Sequence, residues 1–212
     1  MTEPITVFLA DDHETVREGL RLLVDSQPDM EVIAEAGDGV SAVERAFTSK
    51  PNVIVMDLSM PEMNGLAATK ALRASLPATA IVTLTRHSDR AYAQQLFAAG
   101  AHGYVLKQSS SRELLKAIRA TAAGGTYVDP ALRSDDEWHP GLRSHPPSIT
   151  ERETAVLRLM AVGHSNKDIA SELHISVKTV EVHKANAMRK LKLTGRADVV
   201  RYAAINGWLR DP

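Results

Sequence analysis

Along residues 1–128, short apolar runs alternate with stretches whose apolar positions recur at helical spacing. The runs Ile5–Ala10, Glu31–Ala36, Val53–Asp57, Ala80–Thr85 and His102–Leu106 predict five strands. The central ones are continuously apolar and rich in β-branched residues, as expected of strands covered on both faces of a parallel sheet. Between the strands, Val16, Leu20, Leu23 and Val24 share one helical face, and so do Leu114, Ile118 and Ala122. Strand and helix in repeated alternation predict a doubly wound α/β domain around a five-stranded parallel sheet.

Residues 129–147, DPALRSDDEWHPGLRSHPP, break every period. Prolines at 130, 140, 146 and 147, together with Gly141 and scattered charge, predict an extended or partly disordered linker. Trp138, His139 and His145 fit no metal-site spacing and read as linker side chains. From Ser148 onward the pattern is helical. Thr150-Glu151-Arg152-Glu153 is a capping box opening a helix that Gly163 ends, and Ser165-Asn166-Lys167-Asp168 is a second box. The second helix runs to Leu173, a turn at His174–Ser176 follows, and a longer helix covers Val177–Leu191. Thr194 is placed to cap a fourth helix ending near Gly207. The expected organisation is an α/β domain over 1–128, a linker over 129–147 and an all-α domain over 148–212.

Composition adds exclusions. The 212 residues contain no cysteine, which rules out disulfides and thiolate metal sites. The N-terminus lacks the basic and apolar regions of a signal peptide, and no apolar run reaches membrane-spanning length. A cytoplasmic protein without membrane partners is expected. Charge is unevenly spread: twelve basic residues face fifteen acidic ones in 1–128, but eleven face seven in 148–212. An acidic front and a basic rear suggest different partners for the two domains.

Candidate chemistry sits at the strand ends. In an open parallel sheet, ligands gather beyond the carboxyl ends of the strands. Asp11 and Asp12 follow the first strand, Asp57 ends the third, Thr85 ends the fourth and Lys107 follows the fifth. Adjacent carboxylates repel one another, so the acidic group calls for a cation. Three carboxylates suit a hard divalent ion such as Mg²⁺. The hydroxyl and the ammonium suit an anion sharing the site. Metal and anion at a carboxylate mean phosphoryl chemistry with Asp57 as nucleophile. Taken singly, each residue has a plainer role, as a helix cap or a solvated charge; five at the correct ends of successive strands do not.

These residues carry a resemblance. Asp11-Asp12, VIVMDLSMPEMNG around Asp57, LTRH with Thr85, and GYVLK with Tyr104 and Lys107 are similar to the receiver domain of two-component response regulators. The resemblance covers residues 4–128, with Gln108 where many receivers carry proline. It implies that Asp57 accepts a phosphoryl group from a sensor histidine kinase. It also implies Mg²⁺ held by Asp12, Asp57 and the backbone carbonyl of Ser59, with Asp11 acting through water. Thr85 and Lys107 would contact the phosphoryl oxygens, and Tyr104 would change rotamer as Thr85 moves.

In the second domain, a short helix, a tight turn and a longer basic helix form a helix-turn-helix pattern. Lys178, Lys184, Arg189, Lys190 and Lys192 crowd the longer helix and its end, while Val180, Ala187 and Leu191 supply its buried stripe. ITERETAVLRLMAVGHSNKDIASELHISVKTVEVHKANAMRKL is similar to the LuxR-type domain of NarL/FixJ regulators, with Ile149 where the family usually has leucine. The resemblance covers 148–210 and implies that Val177–Leu191 is a DNA recognition helix. Glu181, Val182 and Ala185 would face base edges, because Glu accepts from cytosine N4 and Val or Ala touches a thymine methyl. Lys178, Thr179, Lys184, Asn166, Lys167 and Arg189 would hold phosphates of double-stranded DNA. The last helix, Gly195–Ile205, is the family's dimerisation element. There Val199, Val200 and Ala203 serve either a homodimer contact or the domain core.

The expected function is a DNA-binding transcriptional regulator switched by phosphorylation of Asp57 and dimerising on DNA, not an enzyme. Two other readings have distinguishing features. A hydrolase that turns over an aspartyl-phosphate wants a second Asp two residues after the nucleophile, where this chain has Ser59. A receiver that signals without phosphate would not need the complete site.

Overall fold

The structure, a computed structural model, describes residues 3–86, 88, 90–132 and 149–209. These form two compact units. In the first, strands β1 (Ile5–Ala10), β2 (Met30–Ala36), β3 (Val53–Asp57), β4 (Ala80–Thr85), β5 (Gly103–Leu106) and β6 (Tyr127–Val128) make one sheet. Its order is β2-β1-β3-β4-β5-β6, and every pairing is parallel. Helices α1 (Glu14–Asp25), α2 (Gly39–Ser49), α3 (Gly65–Ser75), α4 (Arg90–Ala98) and α5 (Ser111–Ala122) connect the strands.

The two-residue period of a strand divides its side chains between two cores. Val7, Leu9, Val53, Val55, Val82 and Val105 meet Val24 of α1 and Leu114, Ala117 and Ile118 of α5. Phe8, Ile54, Met56 and Ile81 turn the other way, onto Ala42 and Ala46 of α2 and Ala68 and Leu72 of α3. The small alanines on α2 and α3 let those helices lie close to the larger residues of the sheet.

The sixth strand departs from the expected five. Tyr127 and Val128 pair with Gly103 and Tyr104, a segment too short to show a period. The residues after it, grouped with the linker by their proline and charge, pack onto this unit. Asp129 and Leu132 are buried. The Asp129 carboxylate accepts from the backbone N–H of Leu106 at 3.0 Å and of Ala131 at 2.9 Å. Trp138, His139 and His145 lie outside the described residues.

The second unit contains α6 (Glu151–Val162), α7 (Asn166–Glu172), α8 (Val177–Lys190) and α9 (Arg196–Ile205). Both expected capping boxes are formed, from Thr150 to Glu153 and from Ser165 to Asp168. Gly163, with φ +126°, ends α6 in a conformation that disfavours a side chain. Ser176 caps α8 by accepting from the Thr179 N–H. The cap of α9 differs from expectation: Gly195 occupies it, and the Asp198 carboxylate accepts from Thr194 N, Thr194 Oγ1 and Gly195 N. Val156, Leu157, Ile169, Val180, Ala187, Leu191 and Val199 form the core, with Ile149 and Trp208 packed against it. Among the described residues, no helix is long and apolar enough to cross a membrane.

Candidate functional site: an acidic rim and a basic helix

Strands β1 and β3 are neighbours, yet the helices that follow them cover opposite faces of the sheet. Such a reversal opens a crevice at the strand ends. Asp57 closes β3 at this crevice, and Asp11 and Asp12 leave β1 beside it. Asp11 and Asp57 are buried, being 1% and 4% exposed, whereas Asp12 is open to solvent. Gly65 makes room for this arrangement: a Cβ there would lie 2.1 Å from the Asp57 carbonyl oxygen. The glycine that ends VIVMDLSMPEMNG thus lets α3 start against the acceptor strand.

Lys107 ties the rim together. Its Nζ lies 2.7 Å from Asp11 Oδ2 and 3.1 Å from Asp57 Oδ2. Asp57 Oδ1 accepts from the Leu58 N–H at 2.8 Å. Burial pushes the Asp57 carboxyl above its ordinary pKa, against the pull of Lys107 and with a further push from Asp11. Thr85 and Tyr104 are buried in neighbouring strands, and the Lys107 N–H donates to the Thr85 carbonyl at 2.7 Å. Ser59 is exposed two residues beyond Asp57.

Two residues here were not singled out from the sequence. His13 follows the acidic pair directly. Its backbone N–H donates to Asp11 Oδ1 at 2.9 Å, and its ring Nδ1 lies 2.7 Å from Asp12 Oδ1. Ligand atoms of Asp11, Asp12, His13 and Asp57 all fall within 4.8 Å of one another. Arg17, one helical turn after His13, donates from Nη1 to the Asp11 carbonyl at 2.8 Å and so fixes the backbone between the acids. The available signal was position: a histidine touching the pair and a cation one turn later.

On α8, Val180 and Ala187 are buried, and Lys178, Glu181, Val182, Ala185 and Arg189 are exposed on the opposite side. Val182 is 51% exposed although apolar. Lys184 is half-buried, and the Thr179 hydroxyl lies 2.7 Å from the Ser176 hydroxyl. Asn166 and Lys167 open α7, with Lys167 exposed. Lys190 leaves the basic set: its Nζ pairs with the buried Glu153 carboxylate at 2.8 Å. On α9, Val199 and Ala203 are fully buried, which gives them the core role, and Val200 stays partly exposed.

Comparison with known proteins agrees with both halves. The family described as "Response regulator receiver domain" matches residues 7–119, and "Bacterial regulatory proteins, luxR family" matches residues 147–203. The chain is 42% identical over 207 residues to "Oxygen regulatory protein NreC" of Staphylococcus aureus, covering 93% of this chain and 95% of that one. RcsB of Salmonella enterica serovar Typhimurium, solved bound to a promoter in the presence of phosphomimetic BeF3⁻, is 26% identical with a TM-score of 0.78, covering 96% of this chain and all (100%) of RcsB. A structure of two RcsB dimers bound to two parallel DNAs is similar at 26% identity and a TM-score of 0.74, covering 96% of this chain and 99% of that one. The chain belongs to the response regulators that join a receiver domain to a LuxR-type helix-turn-helix domain, and it is a phosphorylation-controlled, DNA-binding transcriptional regulator.

Proposed function

We propose that Asp57 is the phosphoryl acceptor, that a sensor histidine kinase is the donor, and that phosphorylation promotes a homodimer on double-stranded DNA. The observation that carries this reading is the position of Lys107, whose ammonium spans Asp11 and Asp57. An Asp57 carboxylate oxygen attacks phosphorus, the P–N bond of the kinase's phosphohistidine breaks, and the imidazole leaves with its electron pair and takes up a proton. Burial strips water from the nucleophile, while Lys107 keeps the ionised form accessible. As the acyl phosphate forms, Lys107 and the Thr85 hydroxyl contact its oxygens, and Tyr104 follows Thr85.

The donor set fits a hard cation, since three carboxylates converge with ligand atoms within 4.8 Å. Asp12, Asp57 and the Ser59 carbonyl would hold Mg²⁺, with Asp11 acting through water. Bound there, the ion neutralises charge on the transferring oxygens.

At the other end of the chain, Glu181, Val182 and Ala185 read base edges. Lys178, Thr179, Lys184, Asn166, Lys167 and Arg189 hold phosphates. Lys178, Glu181, Val182, Ala185 and Arg189 share the exposed side of α8, which supports contact of this helix with DNA, and the RcsB dimers on DNA support the homodimer. We assign the receiver to 1–128, the joining segment to 129–147, with Asp129 and Leu132 packed on the receiver, and the DNA-binding domain to 148–212, and place the protein's work in the cytoplasm, where kinase output and chromosomal DNA meet. The test is labelling by acetyl phosphate with Mg²⁺. Asp57→Asn retains the shape and removes the nucleophile, so label should be lost; unchanged labelling would move the acceptor elsewhere.

A further inference from the structure

We infer that His13 is a nitrogen ligand that lets the acidic rim accept transition-metal ions as well as Mg²⁺. This rests on the reading above that Asp11, Asp12 and Asp57 hold a cation. His13 precedes α1 in an extended conformation, φ −91° and ψ 109°. Its backbone N–H holds Asp11 Oδ1, which folds the ring back over the acidic pair. The ring Nδ1 then lies 2.7 Å from Asp12 Oδ1 and 3.4 Å from Asp11 Oδ1. A cation with bonds of about 2.1 Å separates its own neighbouring ligands by roughly 3 Å and opposite ones by roughly 4 Å. The 4.8 Å limit on this cluster brings the imidazole nitrogen close to the same sphere as the three carboxylates. Half of the His13 side chain is exposed, so the ring turns without disturbing the core.

Ligand chemistry then divides the ions. Mg²⁺ takes oxygen ligands and gives up water reluctantly, so in its presence His13 stays a hydrogen-bond partner of Asp12. Ni²⁺, Cu²⁺ and Zn²⁺ favour imidazole. For them, Nδ1 replaces a water once the ring proton sits on Nε2. A site with oxygen donors alone would also bind Ni²⁺ more tightly than Mg²⁺. The contribution of His13 is therefore read from a substitution, not from the order of the metals.

The experiment titrates the full chain with MgCl2 and with NiCl2 by calorimetry, and records nitrogen couplings of one equivalent of bound Cu²⁺ by pulsed electron paramagnetic resonance. His13→Gln keeps the backbone contact to Asp11 and a side-chain donor for Asp12, and it removes the imidazole. Ni²⁺ affinity should fall about tenfold or more, while Mg²⁺ affinity changes by less than about threefold. The imidazole coupling to Cu²⁺ should disappear in His13→Gln and in Asp12→Asn, which places the ion at the rim and not at another histidine. Equal Ni²⁺ affinity in wild type and His13→Gln, or a nitrogen coupling that survives the substitution, overturns the role of His13 while leaving the carboxylate site standing. Absence of Mg²⁺ binding to the wild type overturns the carboxylate reading, and this inference with it.

Discussion

Lys190, at the end of α8, is bonded at 2.8 Å to Glu153, in the first turn of α6. The same Glu153 oxygen accepts from the Thr150 N–H at 2.7 Å, so one buried carboxylate closes a helix cap and anchors a second helix. Lys190 and Thr150 hold the Glu153 carboxyl below its ordinary pKa. A carboxyl lowered by folding adds stability above its unfolded pKa, near pH 4, and loses it as pH falls through the folded value. Glu153→Gln keeps the cap through its amide oxygen and loses only the charge, so it should destabilise the DNA-binding domain at neutral pH by about 1 kcal/mol or less. Lys190 is a third exposed, so water screens its share. Thermal melts of wild type and variant should converge as pH drops below about 4. A difference independent of pH would mean that the ion pair contributes nothing.

At the other site the sign is reversed. Burial raises the pKa of Asp57, so folding opposes its ionisation at neutral pH. A carboxyl raised by folding adds stability below its unfolded pKa and loses it as pH rises through the folded value. Without divalent cation, Asp57→Asn should consequently melt at a higher temperature than wild type near pH 7, and the gap should shrink in acid. Added Mg²⁺ should raise the melting temperature of wild type more than that of the variant, because a ligand stabilises only the state that binds it. Scanning calorimetry with and without Mg²⁺ checks both; a less stable Asp57→Asn protein at neutral pH would show that the contact with Lys107 outweighs the burial cost.

The contacts proposed for α8 make separable predictions for bases and phosphates. Glu181→Ala should change which bases are preferred, a base-edge contact being worth about 1–3 kcal/mol of discrimination. Lys184→Ala should weaken binding to all sequences alike and lower the salt slope by about one ion. Sequence selection and salt titration of the two variants decide. Equal weakening on every sequence in both would mean that the base and phosphate contacts of α8 are wrongly assigned.

Much of this was legible because it depends on local pattern. The first five strands and the helices between them follow from period, and the acidic rim follows from which residues end which strands. Residues that act through distant partners were hidden. A two-residue strand such as Tyr127–Val128 carries no period, and Asp129 looks like linker charge until its bonds to Leu106 and Ala131 are seen. Lys190 counts as one more cation on a basic helix because Glu153 lies 37 residues away. Val199, Val200 and Ala203 form one apolar group in sequence, and only packing separates the buried pair from the partly exposed Val200.

That separation bears on how phosphorylation reaches DNA. One DNA-binding domain offers one recognition helix and few phosphate contacts, so a monomer should bind an operator weakly. Joining two makes the second half-site contact nearly intramolecular, which raises avidity by roughly 10²–10⁴-fold. A two-fold dimer also calls for related half-sites about one helical turn apart, or another spacing that its geometry permits. Phosphorylation should raise both the dimer fraction and operator affinity, while residues 148–212, which have their own core, should bind without phosphate. Val200→Asp should spare the fold and reduce dimer formation on DNA. Val199→Asp, which puts a charge into the core, should unfold the domain. Light scattering and DNA titration on the same phosphorylated and unphosphorylated samples provide the check. Higher affinity with an unchanged oligomeric state would exclude dimerisation as the switch and leave release of the DNA-binding domain from the receiver as the way the signal passes.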